Sequence, residues 1–355
     1  MRIAQIAPLY ESVPPQLYGG TERVVSYLTE ALVADGHDVT LFASGDSVTR
    51  AELVAACPRS LRLDEQCIDR FAHQLLLLEL VDARVRDFDI IHYHIDYLHF
   101  PLSRRNGHPQ VTTLHGRLDI ADLIPVYQHF PEMPVISISD SQRAPLAWLN
   151  WQRTIYHGLP DDLYTYRAEP GDYLAFVGRI SPEKRLDRAI AIAKAVEMPL
   201  KIAAKIDAVD KTYFREEIEP LFDHPLIEYI GEINDGAKDA FLGNARALLF
   251  PIDWPEPFGM VMIEAMACGT PVVAYNHGSV PEIIEHGRNG FIVSSLEEAI
   301  ACTGRIDEIR RGDCRASFEE RFTARRMARD YVEVYRQLTE SPAGRERSGV
   351  LARTG

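Results

Sequence analysis

Two glutamates with seven residues between them, Glu256 and Glu264, stand in the segment PIDWPEPFGMVMIEAMACGTPVVAY. A proline-rich loop carries the first, and the second falls one turn inside a helix that should begin near Gly259. The backbone N–H groups that open a helix have no partner of their own and favour an anion. Gly259 lets the chain turn tightly there, so Phe258, Gly259, Met260 and Val261 are candidate contacts for a phosphate. A carboxylate close behind can accept two hydroxyl hydrogen bonds, which suits the vicinal diol of a ribose. In FVGRISPEKR a strand ends with Gly178, followed by Arg179 and, five residues on, Lys184. An arginine forking two oxygens beside a lysine acting as a point charge suits a diphosphate. Gly19 and Gly20 in YGGTERV follow the first strand and open the first helix, where the missing Cβ lets backbone N–H groups approach a phosphate. A two-glycine turn before a helix is also an ordinary structural device. The spacing lacks the glycines of G-x-G-x-x-G, which argues against a nicotinamide dinucleotide. His115 ends the strand of TTLHGR and should reach the same end of its sheet.

Three other groupings are less specific. His92, His94, Asp96 and His99 lie together in IIHYHIDYLHF. Strand alternation puts His92 and His94 on one face, so a metal site is geometrically allowed, but no further ligand pattern supports it. Asp87-Phe88-Asp89 spells a metal-binding Asp-x-Asp, yet it precedes its strand and so lies at the wrong end of the sheet. The loop YESVPPQLYGG is long, with two prolines and two tyrosines, and could contact an acceptor or simply pack.

These residues need a scaffold that brings strand ends together. Short β-rich runs alternate with helical patterns, the signature of parallel α/β sheets. Strands are expected at 3–7, 39–43, 90–93, 111–114, 135–138 and 154–156. A second series follows at 174–177, 200–203, 227–230, 247–250, 272–274 and 291–293. Several are apolar at consecutive positions, as strands covered on both faces should be. The stretch HGLPDDLYTYRAEPGD separates the two series; the first lysine is Lys184, and nine of the twelve histidines lie at or before His157. The expected domains are 1–157 and 158–322, two facing Rossmann-like α/β domains with a cleft at the carboxyl ends of both sheets. An amphipathic helix over 323–339 and a polar, disordered tail over 340–355 complete the chain.

Composition narrows the function. The 355 residues carry a net charge of −14, against nucleic-acid binding through bulk charge. No run approaches the ~20 apolar residues of a membrane span, and the amino terminus does not read as a secretory signal. Five scattered cysteines without a Cys-x-x-Cys pair fit a reducing cytoplasm. Arg104–Arg105 is the one adjacent basic pair of the first domain, too little to argue for lipid binding; peripheral contact with a membrane stays open.

The glutamate pair inside EPFGMVMIEAMACGTPVV resembles the signature of family 4 glycosyltransferases, retaining enzymes of the GT-B fold. YGGTERV, His115–Gly116, SISDSQ, FVGRISPEKR and GSVPEII follow in family order, so the resemblance spans nearly the whole chain. It implies that Arg179 and Lys184 stabilise a leaving diphosphate, that His115 and Glu256 contact hydroxyls of the transferred sugar, and that Gly19, Gly20, Gly178, the 258–261 segment and Glu264 bind the donor. It also implies that the final helix crosses back onto the first domain and that the leaving phosphate takes the acceptor proton. The expected activity is transfer of a hexosyl unit from a UDP- or GDP-sugar to a sugar, lipid-linked or small-molecule acceptor, with no cofactor and no metal requirement. A nucleotide-sugar epimerase or hydrolase on the same fold, or a non-catalytic nucleotide-sugar-binding protein, would use the same donor residues.

Overall fold

The computed structural model describes residues 1–16 and 19–340. Contacts divide the chain into two units, residues 1–160 joined by the Ala324–Glu340 helix, and residues 161–323. Leu17 and Tyr18 of the first interstrand loop, and the 341–355 tail, lie outside the described residues. Glu340, read from sequence as the start of that tail, is still helical.

The first unit is built on seven parallel strands, β1 (Arg2–Ile6), β2 (Asp38–Ser44), β3 (Glu52–Cys57), β4 (Ile90–Tyr93), β5 (Gln110–Thr113), β6 (Val135–Ser137) and β7 (Trp151–Thr154), in the order β3-β2-β1-β4-β5-β6-β7. Helices shield the central strands, which explains their unbroken apolar runs. Ala4, Ile6, Phe42 and Ile91 form one core with Leu77 and Val81 of the Arg70–Ala83 helix. Sequence reading missed β3. It is an edge strand that pairs with β2 alone, and although 53–57 is an apolar run its first four residues are exposed or half-buried.

The Gly20–Ala34 helix buries Val24, Val25 and Leu28 and ends where Gly36 turns the chain at φ 81°, the left-handed conformation glycine adopts without strain. Against it packs the Ala324–Glu340 helix, whose Met327, Tyr331, Val334 and Tyr335 are buried. Its start is tied to the end of the sheet. Ala324 N–H donates to Leu159 O at 2.7 Å, and Arg326 Nη2 donates to Tyr156 O and His157 O at 2.7 and 3.0 Å.

The second unit has six parallel strands, β8 (Tyr173–Arg179), β9 (Leu200–Lys205), β10 (Ile227–Gly231), β11 (Ala245–Phe250), β12 (Val272–Tyr275) and β13 (Gly290–Val293), ordered β10-β9-β8-β11-β12-β13. In each sheet the strand order reverses once, between β1 and β4 and between β8 and β11. Loops leaving two such strands run in opposite directions and open a crevice at their carboxyl ends, where ligands of open α/β sheets bind. In the second unit Arg311 stitches loops together. Its buried guanidinium donates to Arg167 O (2.7 Å), Ala245 O (2.9 Å), Gly243 O (2.8 Å) and Thr270 Oγ1 (2.8 Å).

Candidate active site

In the second unit the reversal point is flanked by the residues singled out from sequence. Strand β8 ends at Arg179, and a short 3-10 turn, Pro182–Lys184, follows. Strand β11 ends at Phe250 and passes into the 251–259 loop. Asp253 N–H donates to Glu183 O at 2.8 Å, and its carboxylate holds Arg185 and Arg188 at 2.9 and 3.1 Å. That clamp presents Lys184 to Glu256: Lys184 Nζ and Glu256 Oε2 form an ion pair. Trp254 Nε1 donates to the same oxygen at 3.0 Å, and Nζ lies 5.0 Å from the Trp254 ring centroid.

The other side of the loop rests on a feature that carried no assigned role in the sequence. Gly278 lies at φ 57°, and a Cβ there would sit 2.3 Å from Glu256 N and 2.4 Å from Glu256 O. Ser279 N–H donates to Glu256 O at 3.0 Å, and Ser279 Oγ donates to Phe258 O at 2.7 Å. The GSVPEII segment therefore sets the height of the Glu256 loop. Phe258 itself is buried edge-on to Phe322, so its side chain is a packing element.

Gly259 takes φ 79° and caps the Met260–Cys268 helix. Met262 N–H closes on Gly259 O at 3.0 Å, so it is not among the free N–H groups of this helix start. Those of Met260 and Val261, in half-buried residues, meet no acceptor among the described residues. Glu264 follows within the helix, 4% exposed, and pairs through Oε1 with Lys238 Nζ at 3.0 Å. No sequence signal pointed to Lys238, which arrives from the separate Asp235–Gly243 helix.

Arg179 stands among carboxylates. It pairs with Glu183, with Asp207 at 3.5 Å and with Asp210 at 3.3 Å. Partial burial opposes its charge, but these carboxylates outweigh burial and raise its pKa. Asp207 and Asp210 follow β9, the hydrogen-bonded neighbour of β8, a placement visible only once the strand order is known. Gly178 has open space where a Cβ would stand.

In the first unit Gly20 also faces open space, whereas a Cβ on Gly19 would lie 2.8 Å from Pro15 Cβ, a packing reason for that glycine. His115, just past β5, shares a hydrogen bond with His94 (Nε2 to Nδ1, 2.9 Å) and stacks on His157 with centroids 5.4 Å apart. Burial pushes its pKa down to about 3, so it is neutral at physiological pH. The histidine cluster is engaged internally. His92 bonds Tyr335 and Thr113 at 2.7 Å each, and His99 bonds Ser103 and Thr112 at 2.7 Å each. Both nitrogens of each ring are thus committed to protein partners. Asp96, at φ 52°, is exposed and makes no hydrogen bond to these rings among the described residues. Asp89 accepts from Arg2 and Asp87 from Arg84, at the amino end of β4. All five cysteines are free. Among the described residues no helix is long and apolar enough to cross a membrane.

Comparison with known proteins gives this arrangement a context. Residues 18–161 match the model of Glycosyltransferase Family 4 and residues 166–323 that of Glycosyl transferases group 1. The phosphatidyl-myo-inositol mannosyltransferase of Mycobacterium leprae is 24% identical over 383 residues, covering 96% of this chain and 98% of its own. Among solved structures, sucrose-phosphate synthase from Thermosynechococcus elongatus superposes with a TM-score of 0.77 at 20% identity, over 95% of this chain and 98% of its own. Anabaena HepE in complex with UDP and glucose gives 0.73 at 19%, over 95% and 100%. Two adjoining family models, matched over both doubly wound units, account for most of the described residues: the chain belongs to the group 1, family 4 glycosyltransferases and is an enzyme with the GT-B fold.

Proposed function

We propose that the protein transfers a hexosyl unit from a UDP- or GDP-sugar to a carbohydrate, lipid-linked or small-molecule acceptor, with retention at the anomeric carbon. The observation that carries this reading is the convergence of Lys184, Glu256 and the Gly259–Val261 helix start at the reversal point of the second sheet. HepE, which shares the fold, crystallises with UDP and with UDP-glucose, and this supports a nucleotide-sugar donor.

In this reading the N–H groups of Met260 and Val261, with Arg179 and Lys184, hold the diphosphate, and Glu264 accepts the ribose hydroxyls. Lys184 pairs with Glu256, and a diphosphate drawing Lys184 to itself would leave Glu256 to accept sugar hydroxyls. Donor binding would thereby assemble the sugar site. As the bond between the anomeric carbon and phosphate oxygen breaks, its electron pair stays on the phosphate, and the two cations stabilise that charge. The acceptor oxygen bonds the anomeric carbon from the same face, and its proton goes to the departing phosphate. Two cations and a helix start make a metal dispensable for donor binding.

Calorimetric titration with UDP, GDP, ADP and NAD in EDTA, followed by donor turnover with and without acceptor sugars, tests the proposal. Saturable binding of one nucleoside diphosphate and acceptor-dependent turnover are expected. Binding of NAD alone, or of nothing, would sink it, and acceptor-independent turnover would favour an epimerase or hydrolase.

A further inference from the structure

His115 belongs to a buried hydrogen-bond chain that runs through the first unit and ends on the carboxyl-terminal helix. Gln5 Nε2 donates to Tyr335 Oη at 3.1 Å, and Gln5 Oε1 faces His94 Nε2 at 2.8 Å. His94 Nδ1 meets His115 Nε2 at 2.9 Å. On the other branch Tyr335 Oη meets His92 Nδ1 at 2.7 Å, and His92 Nε2 meets Thr113 Oγ1 at 2.7 Å. Thr113 Oγ1 then meets Tyr331 Oη at 2.9 Å. His115 Nδ1 is the one ring nitrogen of these three histidines without a hydrogen-bond partner among the described residues, and it is shielded from solvent.

A neutral imidazole has one N–H and one lone pair, so a chain of them has a direction. With Gln5 Oε1 as acceptor, His94 Nε2 must donate. Its Nδ1 is then a lone pair, and His115 Nε2 must donate to it. That leaves His115 Nδ1 as a bare acceptor. On the second branch Tyr335 has received the Gln5 N–H and donates its own proton to His92 Nδ1, so His92 Nε2 donates to Thr113. Turning the Gln5 amide over reverses every bond and strands an N–H at His115 Nδ1. A buried unpaired N–H is rarer than an under-satisfied acceptor, so the observed orientation is the favoured one. A buried polar atom left unpaired calls for a ligand or a catalytic role. All three rings are kept neutral by burial, as the valence argument requires.

We propose that Gln5 and Tyr335 are positioning residues that fix His115 in its Nε2–H tautomer, so that Nδ1 can only accept a hydrogen bond from a hydroxyl of the transferred sugar. The assignment of a sugar contact to His115 rests on the function proposed above; the tautomer does not. The carboxyl-terminal helix, remote in sequence, thus takes part in sugar recognition through Tyr335.

Two-bond proton–nitrogen spectra of protein labelled with nitrogen-15 histidine test this, with His115 assigned from the loss of its signal in His115→Asn. The expected pattern is Nε2-protonated, Nδ1-bare rings at His92, His94 and His115 together. Tyr335→Phe removes the hydroxyl that receives the Gln5 N–H, and should shift the His115 tautomer ratio roughly tenfold, the equivalent of one neutral hydrogen bond. Its turnover should fall while its affinity for the nucleoside diphosphate stays unchanged; Gln5→Leu should act in the same direction. Nδ1-protonated rings in the wild type, or a tautomer unmoved in a folded Tyr335→Phe, would overturn the proposal. The wild-type spectrum decides even if a variant fails to fold. Failure of the proposed function instead appears as absent nucleotide binding, with the tautomer pattern intact.

Discussion

Replacing Glu264 separates a ligand contact from a structural one. The carboxylate is 4% exposed and its Oε1 is held by Lys238 Nζ at 3.0 Å; if it also receives ribose hydroxyls, two losses follow from one truncation. A hydrogen bond to a charged group contributes roughly 1.5–3 kcal/mol, so Glu264→Ala should weaken nucleoside diphosphate binding by ~10–150-fold. Glu264→Gln keeps the shape and an acceptor oxygen but loses the charge. It should cost roughly 1 kcal/mol per bond, about fivefold in affinity. Stability should follow the same order for a different reason. Glu264→Ala removes one partner of an ammonium that is itself only 13% exposed, so part of the roughly 3–5 kcal/mol typical of breaking a buried pair should be lost. Titration calorimetry gives the dissociation constants and thermal unfolding monitored by circular dichroism gives the stability. Lys238→Ala serves as the control, because it should reproduce the stability loss with a smaller effect on affinity. A folded Glu264→Ala protein that binds the nucleotide with an unchanged constant would refute the ribose role and leave Glu264 as the structural partner of Lys238.

Three further outcomes can be measured on the same protein. Arg179→Ala should lower turnover more than it weakens binding of the free nucleoside diphosphate; equal losses would mean uniform binding rather than transition-state stabilisation. Gly278→Ala places a methyl 2.3 Å from Glu256 N in a left-handed conformation. Steady-state kinetics should show turnover down tenfold or more, and unfolding a destabilisation of about 1–3 kcal/mol. The fourth concerns pH. His92, His94, His99, His115 and His157 all have pKa values lowered by burial from 6.5, His115 to about 3. The unfolded chain therefore binds protons that the folded chain does not, so their contribution is complete above pH 6.5 and is lost as the pH falls below it. Each contributes up to about 1.4 kcal/mol per pH unit in that range. Denaturant unfolding should show steep loss of stability from pH 6.5 to 5; a flat profile there would contradict the buried neutral histidines.

Much of the fold was legible because parallel strands covered on both faces write themselves as apolar runs. Twelve of the thirteen strands overlap the expected segments, β7 at Thr154 alone because it lies at Trp151–Thr154 rather than 154–156, and the edge strand β3 went unread although 53–57 is an apolar run. The site was legible where chemistry demands a residue type next to a chain feature, as with Gly259 before its helix or Lys184 in the turn after β8. Phe258 stood in the same motif for a different reason, since its ring packs on Phe322.

What the sequence determined by itself was therefore local: where strands and helices begin, which glycines must turn, and which charged side chains fall at strand ends. Hydrogen-bond periodicity and backbone sterics act over a few residues, and a few residues record them. Partnership was decided only by the tertiary structure. Lys238 beside Glu264, Asp207 and Asp210 around Arg179, Gly278 beneath Glu256, and Tyr335 joined to Gln5 and His92 all depend on strand order and helix packing. A buried charge or imidazole must find a partner from whichever element the fold brings within about 3 Å, and sequence separation places no constraint on which element that is.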